Sequence, residues 1–206
     1  MTSITPIRDP KTDHLLTPQN AAVIIIDYQP TQIHSVNSIN TSELIKNIIL
    51  VARTAKAYRL PIVLSTVNVA STRNQETVPP LKQELEGVPS YDRSSVNSWE
   101  DAEFVAAVKA TGRKKLIMCA LWTEVCLALP ALDALKEGYE VYPVVDAIGG
   151  TSTLAHETAL RRIEQAGAQL TTIPQLVCEL QRDWNRSETV EEYLDLMFAA
   201  GAFVGL

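Results

Sequence analysis

The sequence predicts an α/β fold in which a parallel sheet is covered by helices on both faces. Three observations predict it. Apolar runs at 21–26, 61–66, 115–120, 140–145 and 169–173 are short and bounded by turn residues, as strands buried on both sides are. Apolar positions between these runs recur at helical spacing. Strands and helices alternate along the chain, the order that right-handed crossovers between parallel strands require.

The first strand is AAVIII, which ends directly on Asp27. A helix follows with Ile45, Ile48, Ile49 and Ala52 on one face, and Thr41 or Ser42 is available to cap its free amides. PIVLST makes the second strand, and a short third strand is expected around Tyr91–Arg93. The next helix, near 100–110, turns Phe104, Val105 and Val108 inward, with Ser98 and Asp101 reading as its cap. KLIMCA is the fourth strand, and Thr123 is placed to cap the helix after it. EVYPVV is the fifth, with a local conflict at Pro143, since proline donates no ladder hydrogen bond; a sheet edge or a bulge would absorb it. A helix near 153–166 stops at Gly167, and QLTTI supplies the last strand.

The chain has 206 residues, 46% of them apolar, enough for a full core, and a single domain over 1–206 is expected. Its core covers about 18–177, and a helical extension covers about 178–206. That extension carries Leu180, Trp184, Tyr193, Leu194, Leu196, Met197 and Phe198, too much apolar bulk for a free tail, so it should pack on the domain or on another subunit. Asp and Glu number 24 against 18 Lys and Arg, a formal charge of −6. This balance argues against nucleic acid and for a small-molecule substrate or a protein partner. The opening MTSITPIRDPKTDHLL has no basic segment leading into an apolar one, and no run reaches membrane-spanning length, so the expectation is a cytoplasmic protein with no membrane contact.

Cys119, Cys126 and Cys178 form neither a CxxC pair nor an even framework, and each thiol must be explained singly. His14, His34 and His156 lie far apart without metal-ligand spacing, so no metal or other cofactor is expected. His156 reads as a capping or surface residue. No GxGxxG follows the first strand, which leaves a dinucleotide oxidoreductase the weakest alternative.

Ligands of open parallel sheets bind beyond the carboxyl ends of the strands, where the strand order reverses. Asp27 stands at one such end, and Cys126 stands a few residues beyond another. With Thr123 as N-cap, Cys126 takes the third helical position, where free amides and the helix dipole favour a thiolate. Position alone leaves Cys126 equally open as a nucleophile and as a small buried hydrophobe. Cys119 and Cys178 read as core. Asp27 needs a partner if held near a core, and Arg93 can supply it; a solvated arginine is the plainer reading. Trp99 and Trp122 could wall a pocket or fill core.

The stretches IIIDYQ, YDRSSVNSWED, ATGRKKLIMCALWTEVCLALPALDALKEGYEVYPVVDA, RRIEQAGAQLTT and CELQRDW resemble the isochorismatase-like cysteine hydrolases, and most closely their YcaC-type branch. The resemblance runs from about Ala21 to Trp184. It implies a three-layer, doubly wound, six-stranded parallel sheet of order 3-2-1-4-5-6. It implies a catalytic triad of Asp27, Arg93 and Cys126, and a cis peptide at Leu121–Trp122 that turns the Trp122 N–H, with the Cys126 N–H, into an oxyanion hole. Gln29, Asn97, Trp99, Trp122 and Thr123 are then the expected substrate pocket. The implied activity is hydrolysis of a small amide-type C–N bond through a thioester, by a homo-oligomer. Two departures limit what carries over. The nicotinamidase branch holds a metal with histidines after strand 2, whereas TVNVASTRNQETV has none. Isochorismatase proper lacks the cysteine and cleaves a vinyl ether, a reaction that Cys126 disfavours. A non-catalytic member that binds a metabolite or partner in the crevice is the reading from a different class.

Overall fold

The computed structural model describes residues 5–205; the ends of the expected 1–206 domain, residues 1–4 and 206, lie outside them. Five parallel strands form one sheet in the order β3-β2-β1-β4-β5. They are β1 (Ala21–Ile26), β2 (Ile62–Val67), β3 (Ser90–Arg93), β4 (Lys115–Ala120) and β5 (Glu140–Pro143). Every residue of β1 and β4 is buried, which is why these runs carry no alternating polar face. The strand order reverses between β1 and β4, the one place where consecutive crossovers leave in opposite directions and open a crevice.

Eight α-helices accompany the sheet among the described residues: α1 (Pro30–His34), α2 (Thr41–Ala57), α3 (Pro79–Glu84), α4 (Ala102–Ala110), α5 (Ala128–Lys136), α6 (Thr153–Gln165), α7 (Ile173–Gln181) and α8 (Val190–Ala199). α2 packs with α3, α7 and α8, while α5 packs with α6. α2 is capped one residue earlier than expected. The Asn40 side chain accepts from the N–H groups of Ser42 and Glu43, so Thr41 and Ser42 are already inside the helix. α4 is capped by Asp101, which accepts from the Phe104 N–H at 2.9 Å, and it buries Phe104 and Val108 completely.

The expected sixth strand is reduced to a single bridge, Val144 with Thr171, and Pro143 is the reason. The N–H groups of Gln169 and Thr171 donate to the Val141 and Pro143 carbonyls, and the Val145 N–H donates to the Thr171 carbonyl. In this alternation residue 143 faces segment 169–171 and should donate to Gln169, but proline has no N–H. The ladder therefore lacks its second rung. Replacing Pro143 by valine is expected to restore that donor and extend the pairing by one residue pair, and slow hydrogen exchange of the new amide at 143 would show it.

The C-terminal segment does pack on the body of the protein, as its composition requires. Leu180, Tyr193, Leu196 and Met197 are buried, and α8 lies against α2 and α7. Cys178 does not follow them. Ile173, Leu176, Val177 and Leu180 make the inward stripe of α7, and Cys178 falls off that stripe and is exposed, contrary to the expectation of a core thiol. Cys119 is fully buried, as expected.

Candidate active site

Three strand ends meet at the crevice. β1 and β4 are in register through Ile26 and Ala120, β1 and β2 through Ile26 and Ser65, and β2 and β3 through Val67 and Arg93. Asp27 therefore leaves β1 beside the turn that follows β4, and Arg93 closes β3 two strands away. Asp27 takes a left-handed backbone conformation, φ 61°, which aspartate tolerates better than most residues. Its N–H donates to the Ser65 carbonyl at 3.0 Å, and its own carbonyl accepts from the Gln29 N–H at 2.8 Å.

Arg93 reaches across the end of β2 to meet Asp27. Its two terminal nitrogens donate to the two carboxylate oxygens, each at 2.7 Å, in a bidentate pair. One nitrogen also donates to the Ser65 hydroxyl at 3.1 Å and to the Thr66 carbonyl at 3.0 Å. Both side chains are fully buried. Burial works to lower the Arg93 pKa, but hydrogen bonding and charge from Asp27, joined by Cys126, outweigh it and raise the value, so the guanidinium is held firmly charged. The Arg93 Nε has no hydrogen-bond partner among the described residues. Ser65, which props the guanidinium, was not singled out from the sequence; a hydroxyl inside the apolar run PIVLST was the available signal.

Cys126 is nearly enclosed, with 6% of its surface exposed. The turn that carries it differs from the expectation. Thr123–Leu127 form a π-helical turn, with the Leu127 N–H donating to the Trp122 carbonyl at 3.2 Å, and extended Trp122 stands at the cap position. Thr123 does not cap. Its hydroxyl is bonded to His156 Nδ1 at 2.8 Å, because the wider turn points it at α6.

The thiol chemistry changes accordingly. Burial first, then the charge and hydrogen bond of Asp27, push the Cys126 pKa well above the ordinary thiol value; Arg93 and the Trp122 N–H pull it down by less. The raised value favours a resting thiol beside Asp27 over the preformed thiolate expected from a helix N-terminus. Alkylation of Cys126 should accordingly rise with pH throughout the neutral and mildly alkaline range without a plateau. A plateau beginning near neutrality would mark a thiolate already present.

The remaining expected site residues divide into two groups. The Leu121–Trp122 peptide is cis, and the Trp122 N–H works to lower the Cys126 pKa, against the larger effects that raise it. The Trp122 indole donates to the Gln32 carbonyl and the Ser35 hydroxyl, which fixes the half-buried ring. Gln29, Asn97 and Trp99 are engaged elsewhere. The Gln29 amide donates to the Val67 and Gln75 carbonyls and accepts from the Val67 N–H, so it pins loop 68–78 to β2. Asn97 accepts from the Trp99 N–H and donates to Asp133, and the Trp99 indole donates to Glu137 at 2.9 Å. These two bind the segment after β3 to α5, and their polar atoms are not left for a ligand. His156, expected to cap or lie at the surface, instead bonds Thr123, and Glu124 was not singled out from the sequence; no motif spacing marks a contact between residues 33 positions apart.

No cluster of three or more His, Cys, Asp or Glu side chains able to hold a metal occurs among the described residues. A cavity of about 410 Å³ lies between the ends of β2 and β3 and the start of α4; Asp92 and Arg93 line it, but Asp27 and Cys126 do not.

With this geometry in place, comparison with known proteins adds the following. A family model described as the isochorismatase domain matches residues 21–175. The protein named "Probable hydrolase YcaC" of Escherichia coli is 36% identical over 192 residues, 88% of this chain and 92% of that one. The crystal structure of the Escherichia coli YcaC gene product, described as an octameric hydrolase of unknown specificity, superposes with a TM-score of 0.81 at 35% identity, covering 93% of this chain and 98% of that one. YcaC from Pseudomonas aeruginosa, solved with hexane-2,5-diol and covalent acrylamide, gives 0.81 at 34% identity, with 92% and 98% covered.

Proposed function

Because this chain belongs to the isochorismatase family, we propose that it is a cysteine hydrolase that cleaves a small amide-type C–N bond through a thioester. The observation that carries this reading is the Cys126 thiol resting against a fully buried, bidentate Asp27–Arg93 pair. A core cysteine has no need of such neighbours, and a buried ion pair costs more to assemble than an apolar packing of the same volume.

In the proposed reaction Asp27 takes the thiol proton as sulfur adds to the substrate carbonyl carbon. The C–S bond forms, and the carbonyl π electrons move to oxygen, where the Trp122 and Cys126 N–H groups receive the developing charge. Collapse re-forms the carbonyl and breaks the C–N bond, and Asp27 returns its proton to the departing nitrogen. A water molecule then adds to the thioester while Asp27 takes its proton; the C–S bond breaks, the acid leaves, and sulfur regains a proton from Asp27. Arg93 is effectively always protonated, so it holds the carboxylate and the transient thiolate by charge and moves no proton. The firmly charged state of Arg93 supports that division of labour.

The same reading takes the enzyme as a cytoplasmic homo-oligomer acting on a small molecule. The octameric state of the Escherichia coli relative supports the oligomer, and no described helix is long and apolar enough to cross a membrane. A panel of small amides, assayed for release of ammonia or amine, tests the activity. Acrylamide labelling tests the nucleophile. Since Cys178 is exposed, that experiment belongs in a Cys178→Ser background, where labelling at Cys126 over Cys119 is the expected result. Labelling at neither residue, together with no hydrolysis of any amide, would count against the proposal.

A further inference from the structure

The turn that carries Cys126 is held from below by residues 149–156, a segment that includes His156, to which the catalytic scheme gives no task. Three contacts make the hold. The Thr123 N–H donates to the Gly149 carbonyl at 2.9 Å, and Leu121 bridges Gly149 in parallel pairing. Glu124 Oε1 accepts from both the N–H and the hydroxyl of Thr151, at 2.9 and 2.6 Å. The Thr123 hydroxyl, which is fully buried, meets His156 Nδ1 at 2.8 Å. The fit is close: a Cβ on Gly150 would come within 2.6 Å of Glu124 Oε2 and 3.1 Å of the His156 backbone nitrogen.

Of these contacts, the bond between Thr123 and His156 is the one that replaces a helix cap. Thr123 follows Trp122, whose N–H works to lower the Cys126 pKa, and precedes Cys126 by three residues. A buried threonine hydroxyl with no acceptor or donor would seek the backbone of its own turn, as Ser and Thr do at N-caps, and would tighten the π turn towards α geometry. His156 removes that alternative by taking the hydroxyl outward to α6. Burial lowers the His156 pKa against the opposing pull of Glu124 and Glu157, which favours the neutral ring, able to accept or donate at Nδ1.

We propose that His156 is a positioning residue: through its bond to the Thr123 hydroxyl it keeps residues 123–127 in the π turn that aims the Cys126 sulfur at the carbon, and the Trp122 N–H at the oxygen, of one substrate carbonyl. This rests on the reading of Cys126 as the nucleophile. His156 touches no reacting atom.

The test measures the rate of acrylamide addition at Cys126, by peptide mass spectrometry in the Cys178→Ser background, for His156→Leu, His156→Asn, Thr123→Val and the Thr123→Val/His156→Leu double variant. His156→Leu and Thr123→Val should each slow addition about tenfold or more, and the double variant should be no slower than the slower single one. Asparagine carries an amide where Nδ1 stands, so His156→Asn should stay within about threefold of the parent. If His156→Leu does not fold, Thr123→Val carries the comparison, because it keeps the side-chain volume. Parent rates in His156→Leu or Thr123→Val would overturn the proposal, as would multiplying effects in the double variant or an His156→Asn as slow as His156→Leu. Failure of the underlying reading looks different: amide hydrolysis would then survive Cys126→Ala. Hydrolysis lost in Cys126→Ala with parent labelling rates in His156→Leu would sink only the role of His156.

Discussion

Cys126→Ala is expected to reduce amide hydrolysis by about 10⁴-fold or more, to the level set by binding and the backbone N–H groups alone. The reason is that the thioester route has no second nucleophile: Cys119 is sealed in β4 and Cys178 sits on the outer side of α7. Cys126→Ser should lose nearly as much. A hydroxyl is a far weaker acid than a thiol, and Asp27, already held by two hydrogen bonds to Arg93, would have to remove its proton. Steady-state rates on any amide hydrolysed by the parent protein give the measurement. A serine variant with parent turnover would show that sulfur does not form the covalent bond.

The largest effect on stability is expected at Arg93. Arg93→Leu leaves the Asp27 carboxylate fully buried with no cation, a situation that costs about 3–5 kcal/mol. For a chain of this size that corresponds to a fall in melting temperature of roughly 10 °C, measurable by calorimetry or circular dichroism. Adding Asp27→Leu to the same variant should recover most of the loss, because two apolar side chains replace the pair without a stranded charge. Activity should not recover with it. That divergence would separate two effects of the ion pair: a cost to folding and, on the proposed mechanism, a base held in a fixed orientation for the thiol. Had the pair only stabilised the fold, the double variant would remain as unstable as the single one.

Much of this was legible in the sequence, for physical reasons that also explain the omissions. Apolar runs that end in Asp27 and begin again at Lys115 announce β1 and β4, since strands buried on both faces cannot carry alternating polar residues. The approach of Asp27 and Cys126 followed from placing both at strand ends of one sheet, whereas Arg93 joined them only through the family resemblance, a solvated arginine being the plainer reading of the residue itself. What the sequence did not reveal depends on contacts between distant residues or on single atoms. The π turn at 123–127 exists alongside a histidine 33 residues away, and no local pattern reports it. The expected thiolate gave way to burial and to the neighbouring Asp27 charge, neither of which the helix-dipole argument took into account. The sixth strand failed on one absent N–H, at Pro143. Cys178 was legible and misread: its offset from Leu176, Val177 and Leu180 places it on the outer side of α7 by helical periodicity alone. Asn97 and Trp99 were expected in the pocket through the family resemblance, whereas the Asn97 amide and the Trp99 indole donate to Asp133 and Glu137.

The register that joins β3, β2, β1 and β4 has a consequence for how the protein fails. Side chains of a strand alternate between faces, so a slip of one residue anywhere across these four strands would turn Asp27, Arg93 or the approach to Cys126 to the wrong side. Hydrolysis is thus a strict gauge of correct topology. On gentle warming or in low denaturant, turnover should vanish while far-ultraviolet ellipticity is still close to native, because loosened strands keep their backbone signal long after three side chains have lost one another.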